Sequence, residues 1–285
     1  MSYQMRSVSF PARSQHPIIL RIETELNKLL SWQHDHSISA SSTMAEAVFF
    51  SLSRLEELHD CMDEILALPS TRHALSANVQ HSFLDSLLDA SLKLLDACSA
   101  SRDAVLGIKE HVQDLQTTMR RRRAGVDTIV ANYISSRKRM RKVAKRNISL
   151  LKQLEQDIDS SLPENPDQQL LSLIRAVKDV ILTNASIFES MLMFVSAQEH
   201  KTKGVGKLSR FMTKGVVSAA DNNNCANELA QLDAELWRFG KGAYREGSST
   251  LQTVNIIVDG MESSLERVFR CLIKTRASFL NIRSY

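Results

Sequence analysis

Apolar residues return at intervals of three and four along most of this chain, and no stretch shows the alternation of a half-buried strand. Leu170, Ile174, Val177, Ile181, Phe188, Leu192 and Val195 form one such series. Val48, Leu52, Leu55, Leu58, Met62 and Ile65 form another. Leu84, Leu87, Leu88, Leu92, Leu95 and Cys98 begin a third, continued by Val105, Ile108, Val112, Leu115 and Met119. Near the end, Leu251, Val254, Val258, Met261, Leu265, Val268, Leu272 and Phe279 repeat the pattern. That spacing gathers side chains onto one face of an α-helix. It predicts an all-α protein, an elongated bundle of about six helices, several of them long and joined by coiled-coil-like seams.

Punctuation sets the expected boundaries. Residues 1–16 are rich in Ser, Arg and Pro without periodicity and read as a disordered arm. Residues 17–285 read as a single helical domain with linkers near 35–43, 160–167 and 200–224. Pro17 opens the first helix, because an N1 residue needs no N–H, and that helix is expected to reach about Gln33. Leu68-Pro69-Ser70 ends the second. From Thr71 to Asp159 no proline intervenes. Past Gly125 the seam reads Val126, Ile129, Tyr133, Met140, Val143, Leu150 and Leu154, close to a heptad, with Arg122, Ser136 and Asn147 as polar lapses. One glycine costs a helix only about 1 kcal/mol relative to alanine, so Gly125 allows a kink without requiring one. A continuous helix from Met119 to Leu154 would span roughly 50 Å. Further helices are expected over about 167–198, 225–239 and 248–282.

Composition agrees with long elements: 9 Gly and 5 Pro in 285 residues, with 43% apolar. Cys61, Cys98, Cys225 and Cys271 are widely spaced and read as reduced, mostly buried thiols. The richest apolar run, Ile187 to Val195, is too short to span a bilayer. With no signal-peptide pattern, the expected location is intracellular and cytoplasmic, with plastid or nucleus left open.

Charge changes the picture at one place. Between Met119 and Leu154 the chain carries Arg120, Arg121, Arg122, Arg123, Arg137, Lys138, Arg139, Arg141, Lys142, Lys145, Arg146 and Lys152, with Asp127 the single acid. Most of these cations fall off the apolar seam, so one helix can bury one face and show a cationic strip. Such a strip suits anionic headgroups or nucleic-acid phosphates; the bland alternative is a solvated face paired with Asp89, Asp96, Glu155 or Asp157. Apart from Tyr133 it lacks the aromatics that stack on bases. A second basic segment, Lys201 to Lys214, carries Val205, Leu208, Phe211 and Met212 and reads as a glycine-bearing loop or an interfacial helix. In the arm, Arg6-Ser7-Val8-Ser9-Phe10-Pro11 fits the pattern read by 14-3-3 type phosphoserine adaptors, with Ser9 as the phosphosite.

Catalytic chemistry is not expected. No GxGxxG, GxxxxGK, GxSxG or HExxH occurs. Glu56 and His59 have the spacing of a di-iron ligand pair, but no second ExxH accompanies them. His34-Asp35-His36 sits at an expected helix end and reads as polar punctuation. No cofactor or metal is expected.

The landmarks in order also carry a resemblance. Arg6-Ser7-Val8-Ser9-Phe10-Pro11 and His16-Pro17 open the series, followed by Leu94-Leu95-Asp96-Ala97-Cys98 with Arg102-Asp103. Lys109-Glu110 leads through Leu115-Gln116 into the arginine cluster. Tyr133-Ile134-Ser135-Ser136-Arg137-Lys138, Phe188-Glu189-Ser190, Asn227-Glu228-Leu229 and Leu272-Ile273-Lys274-Thr275-Arg276 continue it, and Phe279-Leu280-Asn281-Ile282 closes it. Over essentially its full length the chain resembles the plant "domain of unknown function 241" family, related to the Bypass proteins. The Ser-rich stretch 37–43 is shorter than that family's pattern. The resemblance implies a helical fold and a role in root and shoot development, and supplies no catalytic residues. The expected function is therefore a non-enzymatic interaction or regulatory protein with an unidentified protein partner. The alternatives are a peripheral membrane module using 119–154 and 201–214, and then a nucleic-acid-binding helical protein.

Overall fold

A computed structural model describes residues 16–38, 43–76, 81–120, 125–163, 166–196, 227–239 and 248–284. These residues form nine helices and no strand: α1 (Pro17–Ile38), α2 (Met44–Ala67), α3 (Pro69–Ser76), α4 (His81–Arg120), α5 (Val126–Leu151), α6 (Leu154–Ser160), α7 (Gln168–Ser196), α8 (Glu228–Phe239) and α9 (Ser248–Arg283). The all-α reading holds. The larger number of helices reflects breaks that periodicity alone passes over.

Local chemistry explains where the helices start and stop. Thr43 accepts from the backbone N–H of Glu46 while the Glu46 carboxylate accepts from the Thr43 N–H, closing a capping box on α2. Leu68 is extended because Pro69 follows it, and Pro69 then opens α3 as its first residue. Asp167 caps α7 by accepting from Leu170 N–H at 2.7 Å, and Asn227 caps α8 by accepting from Ala230 N–H at 2.9 Å. α1 runs on to Ile38, so His34–His36 fall within a helix rather than beyond its end.

The main departure is at Gly125. Its φ of 107° lies in the left-handed region that side chains avoid. The chain reverses there instead of continuing to Leu154, and α5 returns along α4. Gly107 of α4 lies against Met140 of α5, and the His111 ring meets Tyr133 edge-on at 6.1 Å. The expected 50 Å rod is not formed: α5, about 39 Å long, is one arm of a hairpin with α4.

α2, α9, α4 and α7 form a closed ring, each packed on the next. α5 covers the seam between α4 and α7, and α1 covers the seam between α2 and α7. Surface ion pairs report the directions without determining them. Arg102–Glu266, Lys109–Glu262 and Arg283–Asp85 show α9 antiparallel to α4. Arg267–Glu56 and Lys274–Asp63 show it parallel to α2. α7 is buried over most of its circumference, through Leu173, Val177, Ile181, Phe188, Leu192 and Val195 among others. Cys61 and Cys98 are buried and free, and burial pushes the Cys98 thiol up to about 12. Among the described residues no helix is long and apolar enough to cross a membrane.

The α2–α9 contact depends on a missing side chain. Gly260 receives the ring of Phe49 in the space that a Cβ would occupy. Gly260→Ala forces that ring or the helix axis to move and is expected to cost about 1–3 kcal/mol in urea unfolding. Gly107→Ala meets only the flexible end of Met140 and is expected to cost less.

Candidate functional site

The basic stretch separates into two faces with different fates. On α5 the buried positions are Val130, Tyr133, Ser136, Arg137, Ala144 and Leu151. Val143, expected on the seam, is 49% exposed. Four residues on from Tyr133, Arg137 stands only about 40° round the helix and enters the core, whereas Val143, ten residues on, stands about 80° to the other side.

Arg137 is 1% exposed, and every direction around it is occupied. Its Nε donates to Asp233 Oδ1 at 3.0 Å and its Nη2 to Asp233 Oδ2 at 3.0 Å. Its Nη1 donates to the carbonyl of Val195. Arg141 Nη2 reaches Asp233 Oδ2 at 2.5 Å, and its Nε donates to the Ser196 carbonyl at 3.3 Å. Tyr133 donates its hydroxyl to Asp233 Oδ1 at 2.7 Å. Val195 and Ser196 close α7, so the two guanidiniums satisfy orphan carbonyls and oppose the negative end of that helix dipole. One carboxylate from α8 thus ties α5 to α7 and α8 together. Burial, with Asp233 beside it, pushes the Tyr133 phenol well above its ordinary value and keeps it a donor. Burial opposes the Arg137 charge, but Tyr133 and Asp233 more than offset it, and its pKa stands above the ordinary value.

The outer face is the reverse. Lys138, Arg139, Lys142, Lys145 and Arg146 are all exposed and form no ion pair among the described residues. At 100° per residue they fall within about a third of the helix circumference. Lys152, at the end of α5, pairs with Glu189 at 3.1 Å. The acids expected to neutralise the strip do not: Asp157 pairs with Lys93 of α4, and Asp89, Asp96 and Glu155 form no ion pair with α5. Arg120 closes α4, but its side chain and Arg121, Arg122 and Arg123 lie outside the described residues. Ser9 and the segment 201–214 lie outside them as well.

Asp233 was not legible as a site residue. Its one sequence signal is a place beside Leu229, Leu232 and Leu236, the apolar stripe of a short helix. Arg137 had a better signal, lying four residues after Tyr133 and three before Met140, within the stripe itself.

The Glu56 and His59 pair has no ligand role. Glu56 pairs with Arg267. His59 is buried between Asn184 of α7 and Thr275 of α9, at 3.0 Å from each. Asn184 donates its amide to the Val180 carbonyl, so its oxygen faces His59 Nε2, which carries the proton, and Nδ1 accepts from Thr275. Burial holds the imidazole below its ordinary pKa, in the neutral form. Among the described residues no group of His, Cys, Asp and Glu could hold a metal ion.

A half-open cavity of about 600 Å³ lies between α1, α7 and the α5–α6 junction. Leu26, Leu29, Leu151 and Leu182 make its floor, and Glu23, Glu155, Asp179 and Glu189 its rim. Burial raises the Asp179 carboxyl. The described lining holds no Cys or His.

A family model described as Protein BPS1 matches residues 51–282, which spans α2 to α9. No curated protein matches the chain, and no solved structure does.

Asp233→Ala strands a buried guanidinium and is expected to cost about 3–5 kcal/mol in urea unfolding. Adding Arg137→Met to Asp233→Leu is expected to recover part of that loss. For His59, the folded pKa is depressed, so its contribution is complete above the unfolded value of about 6.5. As the pH falls below that, the unfolded chain takes a proton that the fold refuses. Stability then drops by up to about 1.4 kcal/mol per pH unit. His59→Gln is expected to lack that part of the slope when unfolding is followed from pH 7.5 to 5, whatever its effect on absolute stability.

Proposed function

The chain belongs to the Protein BPS1 family, the plant family its sequence landmarks resemble, and on that footing we propose that it is a non-catalytic regulator of plant growth that works by contact. The contact surface in this reading is the outer face of α5. The observation that carries it is the division of one basic helix into a neutralised inside and a bare outside. Arg137 and Arg141 are consumed by Asp233 and the end of α7. Lys138, Arg139, Lys142, Lys145 and Arg146 are exposed and form no ion pair among the described residues. Like charges four apart, as in Lys138/Lys142 and Lys142/Arg146, destabilise a helix by about 0.2–0.5 kcal/mol per pair. An external anionic partner offsets that repulsion; nothing within the described fold does.

The reading extends to root and shoot development through the family. Replacing all five outer cations with Gln is expected to leave the helical circular dichroism unchanged and the thermal midpoint equal or slightly higher. The same replacement is expected to abolish rescue of growth in plants lacking the chain. Full rescue by the five-Gln chain would remove α5 from the function.

A further inference from the structure

We propose that the partner of the α5 outer face is the anionic phospholipid surface of a membrane, a step that rests on the contact reading above. The argument begins with what the strip lacks. Arg137 and Arg141 show how this helix grips a defined acidic partner: guanidiniums oriented by carbonyl acceptors, buried, and set on one carboxylate. Lys138, Arg139, Lys142, Lys145 and Arg146 have none of that orientation. Exposed and without a hydrogen bond or ion pair among the described residues, each of these side chains would have to be ordered for directional recognition of a protein acid. A lipid surface demands only charge density near the plane and leaves side-chain freedom largely intact.

Shape points the same way. The five side chains occupy the outer edge of α5, a single 26-residue helix packed on α4 and α7, and they line neither the cavity beside α1 nor the pocket between α4 and α9. Lys138, Lys142 and Lys145 follow one line along the helix, and Arg139 and Arg146 follow the next. From 138 to 146 the strip runs about 12 Å, straight enough to lie on a plane. Val143, 49% exposed, borders it between Arg139 and Arg146, an apolar side chain beside the charged heads. Base stacking has no support on this face. Tyr133, the one aromatic of α5, is buried with its hydroxyl on Asp233.

The attachment would be peripheral, since no described helix can cross a bilayer. It would also be weak for each charge and sensitive to screening.

The test is co-sedimentation of the full chain with phosphatidylcholine vesicles, with and without phosphatidylserine, across a salt series. The native chain is expected to pellet with the phosphatidylserine vesicles alone, and pelleting is expected to fall at least about tenfold as salt is raised severalfold through the physiological range. The five-Gln chain is expected to lose at least about a hundredfold in affinity. A second variant controls for net charge: Arg21, Arg267, Arg270, Lys274 and Arg283, which pair with acids elsewhere on the surface, are replaced with Gln. It is expected to bind as the native chain does.

Equal binding by the native and five-Gln chains, equal loss in both variants, or no binding by the native chain at low salt overturns the proposal. Capture by RNA with no capture by vesicles overturns it too. Loss of growth rescue in the five-Gln chain without vesicle binding by the native one sinks the lipid assignment but leaves the contact reading standing. Full rescue sinks the contact reading itself.

Discussion

A guanidinium taken out of water must be met on every side, and Arg137 imposes that demand on its whole surroundings. Leaving it unpaired at 1% exposure costs several kcal/mol, a large share of what a typical domain has. The requirement is met by three separate pieces of chain: the last carbonyls of α7, the carboxylate of α8 and the phenol one turn back on α5. α7 must therefore stop where it does, and α8 must sit where it does. α8 is only 12 residues long, below the length at which an isolated helix holds together in water. Its apolar stripe and this one buried ion pair keep it in place.

That arrangement also determines what remains for the outside. A helix with cations at so many positions could have been wholly a surface or wholly an interior. Reversal at Gly125 places one edge of α5 against α4 and α7 and leaves the opposite edge in solvent. The residues that look alike in sequence then divide by angle. Arg141 and Lys142 are neighbours in the chain, yet one is locked into a network and the other is free.

Much of this fold can be read from residue spacing. The stripes of α2, α7 and α9, that of α4 apart from the exposed Leu92, the Leu68-Pro69 boundary and the Asp167 start all rest on local rules and appear as expected. The failures are those in which local rules are silent. A glycine inside a helical pattern looks the same whether it is tolerated or turned left-handed, and Gly125 turns because α5 has α4 and α7 to cover. Charge alone assigns Arg137 to the outer strip, although it follows Tyr133 by one turn and so shares its buried face. Glu56 and His59 have the spacing of metal ligands. What makes His59 a structural residue instead is Asn184 and Thr275, 125 and 216 positions away. Asp233 is the same kind of case, an acid whose meaning lies in arginines some 90 residues upstream.

The ring of α2, α9, α4 and α7 closes only through α9. α4 and α2 both present apolar faces to it, so as the protein is synthesised those faces emerge and wait for their cover until this 36-residue helix has left the ribosome. The contacts that complete the core join residues more than 150 positions apart, as in Lys109 and Glu262. The core of this bundle is therefore complete only once α9 has been made. A message or product cut short before Ser248 leaves not a smaller version of the protein but an open, apolar trough suited to chaperones and aggregation.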